Sequence, residues 1–302
     1  MKIRIGYGLG TSSTTTDPVR FGALVDSLET LGFDSLWLSE RVNGPALDPV
    51  VGMTFAIART TRLKVGASVM VLPGRNPVLL AKTMASLDQL SNGRLLPAFG
   101  LGVANAAEHQ AFGVDRKERA AWFNEAMPLL RRLWTEDAVT HHGERFHVDD
   151  ARVNPKPVQE PLEVWMGGAA PLELRRVGRY SDGWLPSFCT VDDVREGIDV
   201  VQGHAAEVGR EIDPEHFGVL IPYTDGPLDG NGVSARFTEI VKRRHPDREV
   251  SDVIATRDNL AERLVAFTEV GASKFVVVPA TEPEDWSAEL HDIAERVLPL
   301  EN

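Results

Sequence analysis

Apolar positions along this chain follow two alternating patterns: short runs apolar on both faces, and longer stretches with apolar residues at helical spacing. Residues 63–102 show the alternation most clearly. The run LKVGASVMVL at 63–72 ends at Pro73-Gly74. Asn76-Pro77 then supplies an N-cap and a proline for a first helical turn, and Gly93 offers the positive φ that stops the helix. A second apolar run, RLLPAFGLGV, opens into Gly100-Leu101-Gly102. Strands apolar on both faces and joined by a helix belong in a covered parallel sheet.

The rhythm extends from end to end. Residues 3–9 read as a strand. Asp17-Pro18 starts a helix whose Phe21, Leu24, Val25, Leu28 and Leu31 share one face before Gly32. A short strand at 34–39, a helix at 48–60 and a long helix at 118–134 flank the 63–102 unit. Further strands are predicted at 162–166, 183–186, 217–223 and 275–278, and helices at 171–179, 191–208 and 257–270, with a last one ending near Val297. Alternation around His142-Gly143-Glu144 predicts a β-hairpin inserted near 138–154. The pattern predicts an α/β fold, one (β/α)8 TIM barrel over residues 1–302 with inserted loops and that hairpin. An open doubly wound sheet is the alternative, because periodicity does not report closure.

Composition narrows the function. With 43% apolar and 25% charged residues in 302, the chain reads as ordinary soluble globular material. A formal charge of −12 argues against nucleic acid and anionic membranes as partners. The run Lys242-Arg243-Arg244 reads as a solvated helix end. The single cysteine, Cys189, excludes an intramolecular disulfide and a multi-cysteine zinc site. No apolar stretch has the length of a membrane span, and Met1-Lys2 leads straight into a strand-like segment, so a cytoplasmic protein is expected.

In such a barrel the strand C-termini carry the chemistry. Gly6-Tyr7-Gly8-Leu9-Gly10 does not open a helix, which argues against a dinucleotide fingerprint. Its small residues instead admit a ring or a neighbouring strand. Gly100, Gly102, Val103, Ala104 and Asn105 form one small-residue rim, and Gly167, Gly168, Ala169 and Ala170 form another before the helix at Pro171. Unobstructed N–H groups at two such rims point to a phosphate-bearing cofactor. Glu40 and Arg41, closing the second strand, are either a catalytic pair or a rim ion pair. His141, His142 and His147 lie on the hairpin without metal-ligand spacing, and no metal is expected. Trp37, Trp165 and Trp184 lie in or at strand ends, where core and ring-stacking roles are not separable.

The segments FDSLWLSE, NPVLLAKTMASLDQLSNGRLLPAFGLGV, ARVNPKPVQEPLEVWMGG and RVGRYSDGWLP resemble the luciferase-like flavin-dependent oxidoreductases, (β/α)8 barrels that use FMN or the deazaflavin F420. Gly66-Ala67-Ser68-Val69 and the long helix after Gly102 look most like the actinobacterial F420-dependent branch. The resemblance implies F420, with FMN as alternative, and a small-molecule substrate. It implies a strand-three bulge at Ser68 and Val69, often with a non-prolyl cis peptide, against the back of the ring. The phosphate would lie at 102–105 and 168–170, Glu40 near the ring, and a homodimer is expected. Where the family commonly has a histidine after the acidic residue, this chain has Arg41, which stays protonated and cannot cycle as a base. The implied activity is therefore hydride transfer between reduced deazaflavin and a small organic acceptor, with Tyr7 or a loop histidine such as His109 as a substitute proton source. An FMN-dependent monooxygenase and a non-catalytic ligand-binding barrel are the alternatives. The loops 42–47, 104–116 and 224–233 would select the substrate.

Overall fold

The structure, a computed structural model, describes residues 1–226, 228 and 233–302, the last segment with side chains from residue 237 onward. In chain order the strands are β1 (Arg4–Leu9), β2 (Ser35–Leu38), β3 (Lys64–Ala67), β4 (Met70–Val71), β5 (Leu95–Leu96), β6 (Ala98–Gly100), β7 (Val139–His142), β8 (His147–Ala151), β9 (Trp165–Met166), β10 (Gly183–Trp184), β11 (Gly218–Thr224), β12 (Ala255–Thr256) and β13 (Lys274–Pro279). The helices are α1 (Pro18–Leu31), α2 (Pro49–Arg59), α3 (Pro77–Ser91), α4 (Ala106–Phe112), α5 (Arg119–Thr135), α6 (Pro171–Tyr180), α7 (Val191–Ala206), α8 (Val233–Arg244), α9 (Leu260–Glu269) and α10 (Trp286–Val297).

Local chemistry sets these boundaries. Asp17, Asp48 and Asn76 each precede a proline, and each side chain accepts two N–H groups of the first turn of α1, α2 or α3. The proline fixes φ where its missing N–H costs nothing. Gly32 at φ 92° ends α1, and Asn92 at φ 56° with Gly93 at φ 76° ends α3.

The run 63–72, read from sequence as one strand, is split into β3 and β4 at Ser68-Val69, which is a non-prolyl cis peptide. The strand at 95–100 is likewise split at Pro97 into β5 and β6. The first halves extend the parallel sheet β12-β11-β13-β1-β2-β3-β5, and the second halves belong to β10-β9-β6-β4. Bridges from Trp184 to Phe217 and from Ser187 to Leu220 join β10 to β11, which closes the ring. The structure is therefore the barrel rather than the open sheet, and β7 and β8 pair antiparallel as the inserted hairpin. Three elements were not read from the sequence: α4, α8 and β12.

The barrel buries two apolar layers. Ile5, Tyr7, Leu36, Val65, Phe275 and Val277 face the helices, whereas Trp37, Leu96, Ala98, Trp165, Leu185, Val276 and Val278 fill the inside. Trp37 and Trp165 are fully buried there, edge to face with centroids 6.4 Å apart. Trp184 is buried among residues of the outer layer, so all three tryptophans are core. Gly66 makes room for the Trp37 indole, since a Cβ there would lie 2.7 Å from its Cε3. Below the indoles, Lys274 Nζ sits 5.8 Å from the Trp37 ring and pairs with Asp34, whose second partner is Lys64. Among the described residues no helix is long and apolar enough to cross a membrane.

Candidate active site

Burial along the strands relaxes at one end of the barrel. Gly10, Ser39, Glu40, Ser68, Val69, Gly100, Gly102, Gly167 and Gly168 are all half-buried, while the strand residues before them are mostly buried. These nine are the C-terminal strand ends, so the structure brings Glu40, Ser68, Val69 and both small-residue rims to one mouth. The interrupted strand forms its floor. A Cβ on Gly100 would lie 2.7 Å from Val69 Cγ2, and one on Gly102 would lie 3.0 Å from Val71 Cγ2. Ser39 and Ser68 hydroxyls approach to 3.4 Å across the same floor.

Glu40 does not pair with Arg41. Its carboxylate accepts the Val71 N–H at 2.6 Å and forms an ion pair with Arg75, whose Nε donates to the Val71 carbonyl at 2.9 Å. The two side chains bracket β4 and hold it in place. Burial pushes the Glu40 carboxyl above its usual range, and Arg75 and the Val71 N–H offset only part of that shift. The rim ion pair read at Glu40 and Arg41 is thus corrected: a guanidinium reaches as far as its own backbone allows, and Arg75 is the one aimed at Glu40. Arg41 is half-buried, and among the described residues its guanidinium has no hydrogen-bond or ion-pair partner. Buried Glu108 on α4 accepts the N–H groups of Val42 and Asn43 at 3.3 and 2.9 Å, which fixes the loop just beyond Arg41.

At the first rim Arg119 Nη1 donates to the carbonyls of Leu101, Gly102 and Val103 at 2.9, 2.9 and 3.1 Å. Asn105 is committed to capping α4, its side chain accepting from Ala107 and Glu108. At the second rim the N–H groups of Ala169 and Ala170 are donated to Glu173 Oε2, at 3.1 and 3.0 Å. The expectation of free amides there is therefore corrected: a side chain of α6 already accepts them. Glu108, Arg75, Arg119 and Glu173 were all missed from sequence. Glu108 and Glu173 carried a readable signal, each an acid at the third helical position, after Asn105 and after Ala170-Pro171.

The remaining candidates lie elsewhere. Tyr7 is fully buried and points at the helix layer, its hydroxyl 2.8 Å from that of Tyr223. That removes Tyr7 as a proton source, because an inward Gly6 and Gly8 leave it the outward position of an alternating strand. His109 Nε2 lies 3.0 Å from the Val103 carbonyl and lines a small cavity with Glu108, Gly102 and Arg119. Burial pushes the Cys189 thiol up to about 12, which makes it a poor nucleophile. His142 and His147 stack on the hairpin, with Asp149 2.6 Å from His142 Nε2. Lys242, Arg243 and Arg244 are all exposed, and Arg244 also lies over the Phe188 ring and donates to the Ser187 carbonyl at 2.8 Å. The loop 224–233 lies partly outside the described residues.

A flat heterocycle with an anionic tail fits this chain's residues on two counts. The floor of Val69 and Val71 against Gly100 and Gly102 is a cradle that a larger side chain would fill. Among the described residues, Nε of Arg119 and of Arg176 are buried with no hydrogen-bond partner, as is Nε of Arg179 further along α6. A profile of the luciferase-like monooxygenase family matches residues 2–224. The F420-dependent glucose-6-phosphate dehydrogenases of Kineococcus radiotolerans and Segniliparus rotundus are 28% and 31% identical to this chain. Each alignment spans 70% of this chain, and 67% and 66% of the respective relative. Across relatives of this kind the matched part is between 52% and 67% of their length. Among solved structures, an F420-dependent secondary alcohol dehydrogenase in complex with an F420-acetone adduct superposes with a TM-score of 0.82 over 100% of both chains, at 22% identity, which is a likeness of fold.

Proposed function

The chain belongs to the luciferase-like monooxygenase family and is an oxidoreductase of the flavin- or deazaflavin-dependent kind; on that premise we propose that it uses F420 to transfer a hydride between reduced deazaflavin and a small organic acceptor. The observation that carries the reading is the half-buried floor at Ser68 and Val69, framed by Gly100, Gly102 and Gly167, with Glu40 against its outer strand. F420 rather than FMN is favoured by the F420-dependent glucose-6-phosphate dehydrogenases among the curated relatives. When bound, the reduced deazaflavin supplies the hydride.

The chain's own residues supply position and charge. Val69 is the surface on which the ring would rest. Glu40 and Arg75 keep Val71, and with it the second half of the strand, in place. Arg41, whose guanidinium has no partner among the described residues, would stabilise negative charge on the ring or on the acceptor. The exposed apolar residues Val51 on α2 and Leu79 on α3 are the candidate contact of a homodimer; a monomer in sedimentation would remove that part of the reading.

Titration of the purified protein with F420 and, separately, FMN tests the cofactor. Quenching of F420 fluorescence with no response to FMN supports the reading, and the reverse overturns it. Arg41→Ala should leave unfolding stability within about 0.5 kcal/mol of wild type while lowering turnover of the acceptor at least tenfold, since a charge aimed at the reacting centre is typically worth a factor of about 10². Unchanged turnover would remove Arg41 from the chemistry.

A further inference from the structure

At the second rim the anion position is already filled by the chain itself. Glu173 Oε2 accepts both the Ala169 and Ala170 N–H groups, and a Cβ on Gly168, which has φ 95°, would lie 2.6 Å from that same oxygen. The carboxylate therefore lies directly against the rim backbone, where a phosphate oxygen would have to lie.

An independent observation concerns the cations around it. Arg119 and Arg176 lie within electrostatic range of Glu173, although neither forms an ion pair with it among the described residues. Their Nη1 atoms are engaged by backbone carbonyls, Arg119 at the first rim and Arg176 at Leu172, 3.1 Å away. Yet, among the described residues, Nε of each is buried and unpartnered. A buried N–H of a cation without an acceptor is costly, so one carboxylate leaves donors on both arginines unsatisfied. The phosphate of the F420 tail is a diester with one negative charge and two free oxygens, but unlike the Glu173 carboxylate it is not tethered to α6 and can turn one oxygen to the amides and the other to an arginine N–H. It would meet those donors better than the carboxylate does, and the two anions cannot share the same pair of amides.

We propose that Glu173 is a resident competitor: its carboxylate holds the phosphate position when the cofactor is absent and yields the Ala169 and Ala170 amides when a phosphate-bearing tail arrives. The proposal rests on the functional reading above, which supplies the tail. Its consequence is selectivity. A ring without an anionic tail has nothing with which to displace Glu173 and gains nothing at this rim. A tailed ring binds more weakly than its contacts alone would allow, because the carboxylate must first leave.

The test compares wild type, Glu173→Gln and Glu173→Asp in equilibrium titrations with F420 and with its chromophore lacking the phosphate tail. Inorganic phosphate, read as a shift in unfolding temperature, is a third probe. Weakening two charge-assisted hydrogen bonds to neutral ones in Glu173→Gln, or losing them in Glu173→Asp, predicts F420 affinity about tenfold tighter in both variants, with the tail-less chromophore unchanged. Phosphate should raise the unfolding temperature of Glu173→Gln more than that of wild type. The aspartate variant keeps the charge but falls one methylene short. Tightening in Glu173→Gln alone would leave only like-charge repulsion and overturn displacement. Unchanged F420 affinity, or equal losses for tailed and tail-less ligands, would mean that Glu173 merely caps α6. If wild type binds no F420, the functional reading fails instead, and the phosphate shift alone then decides the role of Glu173.

Discussion

Burial decides what Glu40 can do. Its carboxylate is nearly enclosed, its pKa is raised by desolvation, and Arg75 is what keeps the ionised form tolerable. Arg75→Ala is therefore expected to cost about 3 kcal/mol in urea unfolding, because a buried charge loses its partner. Adding Glu40→Gln to that background should recover part of the loss, since the orphaned charge disappears. Simple additivity of the two losses would contradict the pairing. Sequence placed Glu40 at the mouth because it ends a strand, but neighbours in sequence were the wrong guide to its partner. Arg41 is adjacent in the chain, whereas Arg75 reaches Glu40 from the turn after β4. Arg119 was equally hidden, because its rim contacts come from the start of a helix that reads as plain core packing.

At the scale of elements, loops at the mouth are tied down by single carboxylates. Glu282, just after β13, accepts hydrogen bonds from Ser13, Thr14 and Thr15 in the loop after β1, with Thr15 Oγ1 at 2.7 Å. Trp286 Nε1 donates to the same Thr15 hydroxyl at 2.8 Å. Glu282→Ala should lower stability by about 1–2 kcal/mol, the cost of leaving such donors unmet, and should speed hydrogen exchange selectively at residues 13–16. Exchange unchanged at that loop would mean the strap is not what orders it. Strands were legible because both faces are apolar, and α1, α2 and α3 because Asp-Pro and Asn-Pro announce their first turns. α4 was not, although Asn105 caps it and Gly113 at φ 65° ends it. Two turns of helix give too little periodicity, and the preceding glycines drew the segment into the rim. α8 follows a run rich in Gly, Pro and Asp that masked its start.

At the scale of the molecule, the two ends of the barrel have separate duties. The mouth is glycine-rich and half-open, while the opposite end is closed by Lys274, Asp34 and Lys64 beneath Trp37. Burial alone would raise the Asp34 carboxyl, but the two lysines outweigh it and hold it far below its ordinary range. A carboxyl lowered on folding stabilises fully above its unfolded pKa, near 4, and that contribution is lost as the pH falls. The double variant Asp34→Asn, Lys274→Met should accordingly lose about 2 kcal/mol less than wild type between pH 6 and pH 2. Parallel acid profiles would contradict the assignment. The closed barrel itself was legible from eight strand–helix units, whereas the break at Ser68-Val69 follows from no periodicity and was implied only by resemblance.

The most direct measurement of the central claim is a crystal structure of the protein grown with F420. The account predicts the deazaflavin ring lying on Ser68 and Val69, its phosphate between the Gly102 and Gly168 rims, and Glu173 turned away from Ala169 and Ala170. A ring bound elsewhere, or a tail leaving the mouth away from both rims, would contradict it.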